Sequence, residues 1–240
     1  MRKITYLALI CTATAALAAC GGGGSSGYGS NQSGLVVATD AEVVGYVKSS
    51  NIDFLPFRRA PGTWRWPSTP TQHILVYIPT PTPGNATEQD YSAKTQNSVA
   101  IINAKLTGLL FLEVVNSIPS NGNYIRVGYG NSYVPPGSTD YSSYCANVAS
   151  GPSVGNPIQP SSTNSIQTSP VYLNLGNGHC EVTQAIVTHE FGHALGLSEH
   201  FNGFGIGDAT SKAFWDVLAT LYANPQATIT TNLVVKHAAL

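Results

Sequence analysis

The chain has 240 residues, of which 11 are Lys or Arg and 12 are Asp or Glu, giving a formal net charge of −1 and a charged fraction of only 10%. That balance, with no basic cluster, argues against nucleic acid as a partner, because neutralising phosphates takes Lys and Arg concentrated on one face. A hydrophobic fraction of 42% permits a real core.

In chain order, MRKITYLALICTATAALAAC starts with Arg2 and Lys3, continues as an uncharged apolar run and ends in small residues at Cys20. This is the layout of an export signal, and the apolar run is too short for a comfortable membrane span. Leu17-Ala18-Ala19-Cys20 resembles the bacterial lipobox. The resemblance implies that residues 1–19 are removed, that Cys20 carries lipid, and that the protein is anchored to a membrane of the cell envelope, outside the cytoplasm. GGGGSSGYGS follows as a flexible spacer, so residues 20–34 read as anchor and linker. Residues 35–72 mix short apolar runs with Pro and Gly and read as an N-terminal extension, in which Trp64 and Trp66 are expected to pack.

HILVYIP, residues 73–79, is a β-branched and aromatic run ended by Pro, hence a strand. Segment 91–109 places Val99, Ile102, Leu106 and Leu109 at helical spacing. Residues 111–115 and 124–130 read as two strands joined by the turn-forming SIPSNGN. From about 134 to 169 the chain is crowded with Pro, Gly, Ser and Asn and reads as one long loop. After Cys20 the only cysteines are Cys145 and Cys180, and in an exported protein such a pair is expected to form a disulfide that tethers this loop. VYLNL, residues 171–175, is a last strand before a helix from about 182 to 195. Strand, helix, strand, strand, long loop, strand, helix is an α+β order.

The chemistry lies on that last helix. His189 and His193 stand four residues apart, so both imidazoles project from one face on successive turns and can grip one metal ion. Glu190 is carried round toward the space beside the ion, where a carboxylate can take a proton from a bound water. Zinc (Zn2+) lowers the pKa of such a water to about 7 and polarises the carbonyl under attack. Three residues past His193, Gly196 can adopt a left-handed conformation, end the helix and turn the chain back beneath the metal.

HEFGHALGLSEH, residues 189–200, therefore resembles the metzincin signature HExxHxxGxxH, and GHALGLS is most similar to the matrixin branch. The resemblance implies a zinc endopeptidase acting on protein or peptide substrates, with residues 73–240 as the catalytic domain. It also implies a twisted mixed sheet packed on an amphipathic helix and the zinc-binding helix, a small C-terminal helical subdomain, and a substrate lying antiparallel to an edge strand, for which Val171 to Leu175 is the candidate.

Two positions depart from the pattern. The third ligand would fall at Glu199, whereas the histidine is His200. Either the turn after Gly196 has one extra residue and presents His200, or Glu199 supplies an oxygen; His200 is preferred, since imidazole is the usual third ligand and loops tolerate insertions. Asp208 and Asp216 are weaker candidates. The methionine that metzincins place beneath the metal is missing, because the only Met is Met1, and Ile206 or Leu218 is expected in its place. FNGFGIGDATSKAFWDVLATLYANP nevertheless holds the expected sequel, a Gly-rich turn and an amphipathic helix with Phe214, Val217, Leu218 and Leu221 on one side. His73, His179 and His237 are read as structural or exposed. A surface lipoprotein that has lost activity and keeps only a binding role, and a zinc hydrolase of a non-protein substrate, are the rival readings; retention of Glu190 argues against the first.

Overall fold

A computed structural model describes residues 36–54, 61–67, 72–120, 123–166 and 169–239. The export signal, Cys20 and the Gly/Ser linker lie outside these residues. No helix among the described residues is long and apolar enough to cross a membrane.

The fold is α+β, a mixed five-stranded sheet with four α-helices among the described residues. Strands β1 (Ile74–Tyr77), β2 (Leu112–Val115), β3 (Tyr124–Tyr129), β4 (Ala146–Ala149) and β5 (Val171–Leu175) lie in the order β2-β1-β3-β5-β4. All neighbours are parallel except β4, which runs antiparallel to β5 with Val148 opposite Leu173. The strands alternate by the period-two rule, so Ile74, Val76, Ile125, Val127, Val171 and Leu173 all point into the core.

Helix α2 (Ala86–Lys105) answers this face with Val99, Ile102 and Leu106, all buried as their spacing predicts. It starts earlier than 91 because Asn85 caps it, its side chain accepting the Glu88 N–H, so the turn-rich stretch before it already contains the first helical turn. Helix α3 (Gln184–Ala194) lies beside α2 across a polar seam: the Ser98 and Thr188 hydroxyls are 3.0 Å apart, and the Gln184 amide donates to the Ser98 hydroxyl at 2.7 Å. Helix α4 (Lys212–Ala223) buries Phe214, Val217, Leu218 and Leu221, the side expected of it.

Two expectations require correction. Residues 134–169 are not one loop, since they contain β4 and a 3-10 turn at Tyr141–Tyr144. Val171–Leu175 is not an edge strand either: β5 is paired on both sides, and β4 is the outermost strand. Ala-Asn-Val-Ala has little strand character of its own, and only its pairing with β5 makes it one.

The Sγ atoms of Cys145 and Cys180 lie at disulfide distance, with Cα atoms 5.8 Å apart. The pair ties the residue just before β4 to the segment that leads into α3. It closes a loop across a sequence separation of 35, worth roughly 3 to 4 kcal/mol by loop-closure entropy. A Cys145→Ser, Cys180→Ser variant is expected to lose that much in chemical denaturation, and an unchanged midpoint would show the tether to be idle.

Residues 36–54 and 61–66 form part of the same body. Helix α1 (Asp40–Val47) is opened by a capping box between Thr39 and Glu42, runs directly into a π-helix at Lys48–Ile52, and packs against α4. Trp64 and Trp66 are buried, in keeping with the packing role expected of them.

Candidate metal centre

Helix α3 is amphipathic in an unusual sense, because both of its sides are covered. Val187, Phe191 and Ala194 join the apolar core, while His189, Glu190 and His193 are only 7%, 2% and 6% exposed. Buried imidazoles and carboxylates are costly unless something satisfies them, so the surroundings of these three groups decide what they do.

Gly196 ends the helix with φ at +111°, a conformation that a β-carbon disfavours. Its N–H donates to His193 O and the Leu197 N–H donates to Gly192 O, so the chain folds back under the helix. That return brings His200 to the two helical histidines. The Nε2 atoms of His189, His193 and His200 are 3.0 Å (189 to 193), 3.1 Å (189 to 200) and 3.3 Å (193 to 200) apart. These three residues form a group positioned to hold a metal ion. Glu199 is exposed and is not part of it.

The hydrogen bonds on the far side of the rings identify the tautomers. His189 Nδ1 is 2.9 Å from Ala209 O, and His193 Nδ1 is 2.5 Å from Leu197 O. A carbonyl can only accept, so in each ring Nδ1 carries the proton and Nε2 keeps its lone pair. Burial holds His189 down to about 3, with the neighbouring His200 adding to the effect, and holds His193 well below the ordinary histidine range. His200 is lowered by burial as well. Two neutral rings thus face each other through their Nε2 atoms at 3.0 Å, an arrangement that a cation between them would stabilise. In a tetrahedral zinc site with Zn–N bonds of about 2.0–2.1 Å, neighbouring nitrogens are about 3.3 Å apart, so the three histidines fit one face of such a site.

Glu190 adds a buried acid to the same helix. Its Oε2 is buried with no hydrogen-bond partner, and burial pushes its carboxyl up to about 8. A buried carboxyl oxygen left so is compatible with a catalytic role or with a water or ion as its partner.

Beneath the rings lies Phe204. Its ring stacks on His189 at 4.2 Å and touches His193 and His200 at 4.9 and 5.5 Å, and Phe214 stacks behind it at 5.2 Å. Of the two residues expected in place of the missing methionine, Ile206 is 54% exposed and Leu218 is buried, and the aromatic ring set against the imidazoles is that of Phe204. The FNGFG stretch marks the place, but nothing in its spacing distinguishes Phe204 from Phe201 before the turn is folded. Space is tight. A β-carbon on Gly192 would stand 2.6 Å from the Phe214 ring and 2.8 Å from the Phe204 ring. One on Gly205 would stand 2.6 to 2.8 Å from three atoms of the His200 ring, at a φ of +75°. Gly205→Ala is therefore expected to displace His200 and weaken metal binding by about tenfold or more, read by competition with a chelating dye. Unchanged affinity would mean that His200 is not a ligand.

The remaining candidates lie elsewhere. Asp216 is buried, accepts the Ala238 N–H, and is paired with Lys212 and His237. Asp208 contributes a backbone carbonyl to the Gly205 turn. His73 meets Glu113 and His179 stacks on Tyr141, in keeping with structural or surface roles. Tyr129 donates to Pro79 O.

Compared with protein-family models and with curated proteins, the chain finds no match in either.

Proposed function

We propose that the protein is a zinc-dependent endopeptidase of metzincin-like type, anchored outside the cytoplasm by lipid on Cys20. The observation that carries this reading is the set of facing Nε2 lone pairs, with a buried and unpartnered carboxylate on the same helix. His189, His193 and His200 would hold the ion. When bound, zinc supplies a Lewis acid that favours both the deprotonation of water and the polarisation of a carbonyl.

The chain's own residues do the rest. The Nδ1–H bonds of His189 and His193 to backbone carbonyls fix the ring orientations, so the lone pairs need no reorganisation. Glu190 takes the proton of the attacking water and passes it to the departing amine as the peptide bond breaks. Phe204 keeps water from the back of the rings. A buried base suits catalysis and is an unexplained cost in a purely binding protein. Strand β4 favours a peptide substrate over other classes, because an outermost strand is where an extended chain can add through backbone hydrogen bonds.

The test uses the protein without its first 34 residues, assayed for metal content and for cleavage of an unfolded protein. One zinc per chain, with cleavage abolished by a chelator and restored by zinc, is the expected result. Cleavage indifferent to chelation, or a purified chain that takes up no zinc, would overturn the reading.

A further inference from the structure

We propose that Asn51, far from the metal-binding motif in sequence, is a positioning residue for the third metal ligand, His200. The inference rests on the metal-site reading above and adds the part played by the N-terminal segment.

The π-helix at Lys48–Ile52 turns three consecutive residues, Ser50, Asn51 and Ile52, into the core. A π turn is rare and recurs where a side chain must be re-aimed. Here the re-aimed group is the Asn51 amide. Its Nδ2 donates to Trp64 O at 2.7 Å and to Gly196 O at 2.7 Å, and its Oδ1 accepts the Trp64 N–H at 3.0 Å. The Trp64 indole donates back to Asn51 O at 2.6 Å, so the two residues lock each other. From this pair the Asn51 amide reaches Gly196, the residue at which the chain turns from α3 toward His200.

Neighbouring contacts reinforce the same turn. The Ser198 N–H donates to Ser50 O at 2.6 Å, and the Tyr46 ring stacks on Phe201 at 4.6 Å. Segment 46–51 thus touches the chain at 196, 198 and 201, on both sides of His200. That grip adds to the bonds of Leu197 with Gly192 and His193, and of Phe201 with Phe204, in holding an imidazole within 3.1 to 3.3 Å of two others. Only an amide meets the requirement, since it offers two donors to two carbonyls and one acceptor to an N–H. An aspartate would face two carbonyl oxygens with like partial charge.

Zinc affinity of the purified protein, measured by competition with a chelating dye and without substrate, tests the inference. Asn51→Ala should bind zinc about tenfold or more weakly than the parent. In a His200→Ala background the same change should have no further effect, because a residue acting through His200 has nothing left to position. The visible spectrum of the cobalt-substituted Asn51→Ala protein should move toward that of His200→Ala. Equal zinc affinity in parent and variant, or the same loss in both backgrounds, overturns the proposal; a purely structural role would lower the melting temperature and leave the spectrum alone. If Asn51→Ala does not fold, hydrogen exchange of the Asn51 side-chain amide in the parent decides. Zinc should slow it by reciprocal linkage, and an unchanged rate overturns the proposal. A parent that binds no zinc at all would instead sink the metal-site reading.

Discussion

Replacing Glu190 with glutamine is expected to leave zinc bound and to reduce peptide cleavage by about 10²–10⁴-fold, the usual contribution of a positioned acid-base group. Glu190 makes no contact with the histidine lone pairs in the hydrogen-bond pattern, so the variant keeps all three nitrogens in place. What it loses is the proton acceptor. Burial alone pushes the carboxyl up to about 8, and a divalent cation held beside it would pull the group back toward its ionised form, ready to take a proton at neutral pH. A stability measurement provides an independent check. A carboxyl pushed up to about 8 stays neutral in the metal-free protein at about pH 7, and a neutral amide of the same shape replaces it at similar cost, so the metal-free Glu190→Gln protein should melt close to the metal-free parent. Retained cleavage would show that Glu190 is not the base. A markedly lower melting point would show that the carboxyl has a structural partner.

The second large effect concerns the third ligand. His200→Ala removes one of three converging nitrogens and is expected to weaken zinc binding by more than about 100-fold, beyond the usual cost of altering an outer contact. Glu199→Ala changes an exposed side chain that lies outside the cluster, and its affinity should match the parent's. The opposite pattern, loss at Glu199 and none at His200, would mean that the turn after Gly196 rearranges when the metal enters. Measuring both variants by the same dye competition places them on one scale with Gly205→Ala, which acts on the His200 ring from behind.

Much of the architecture was legible because its elements carry strong local patterns. Ile74–Tyr77, Tyr124–Tyr129 and Val171–Leu175 are β-branched or aromatic runs, and each is a strand where expected. Helices α2 and α4 follow the spacing of their buried residues. Two elements were missed for the opposite reason. Asp40–Val47 is a short helix in a segment whose Pro and Gly residues suggested irregular chain, and Ala146–Ala149 is a strand only by virtue of the neighbour it pairs with. In a sheet of mixed direction, which strand lies outermost depends on pairing order, and no feature internal to Val171–Leu175 reports it.

The metal centre divides along the same line. His189, Glu190 and His193 could be assigned from the chain alone because a helix converts a spacing of four residues into a shared face, a local rule that needs no tertiary context. Gly196 could be assigned as the bend for an equally local reason, the absence of a β-carbon. Whether His200 or Glu199 meets the helical pair depended on the path of a loop, and that path is held by Asn51, Ser50 and Tyr46 from a distant part of the chain. The aromatic floor is likewise a product of folding, since Phe201 and Phe204 are the same residue type three positions apart and only the closed turn sets one of them against the imidazoles. Residue spacing along one helix thus determined which groups can grip an ion; contacts between segments far apart in the chain decided which third group joins them and what lies beneath.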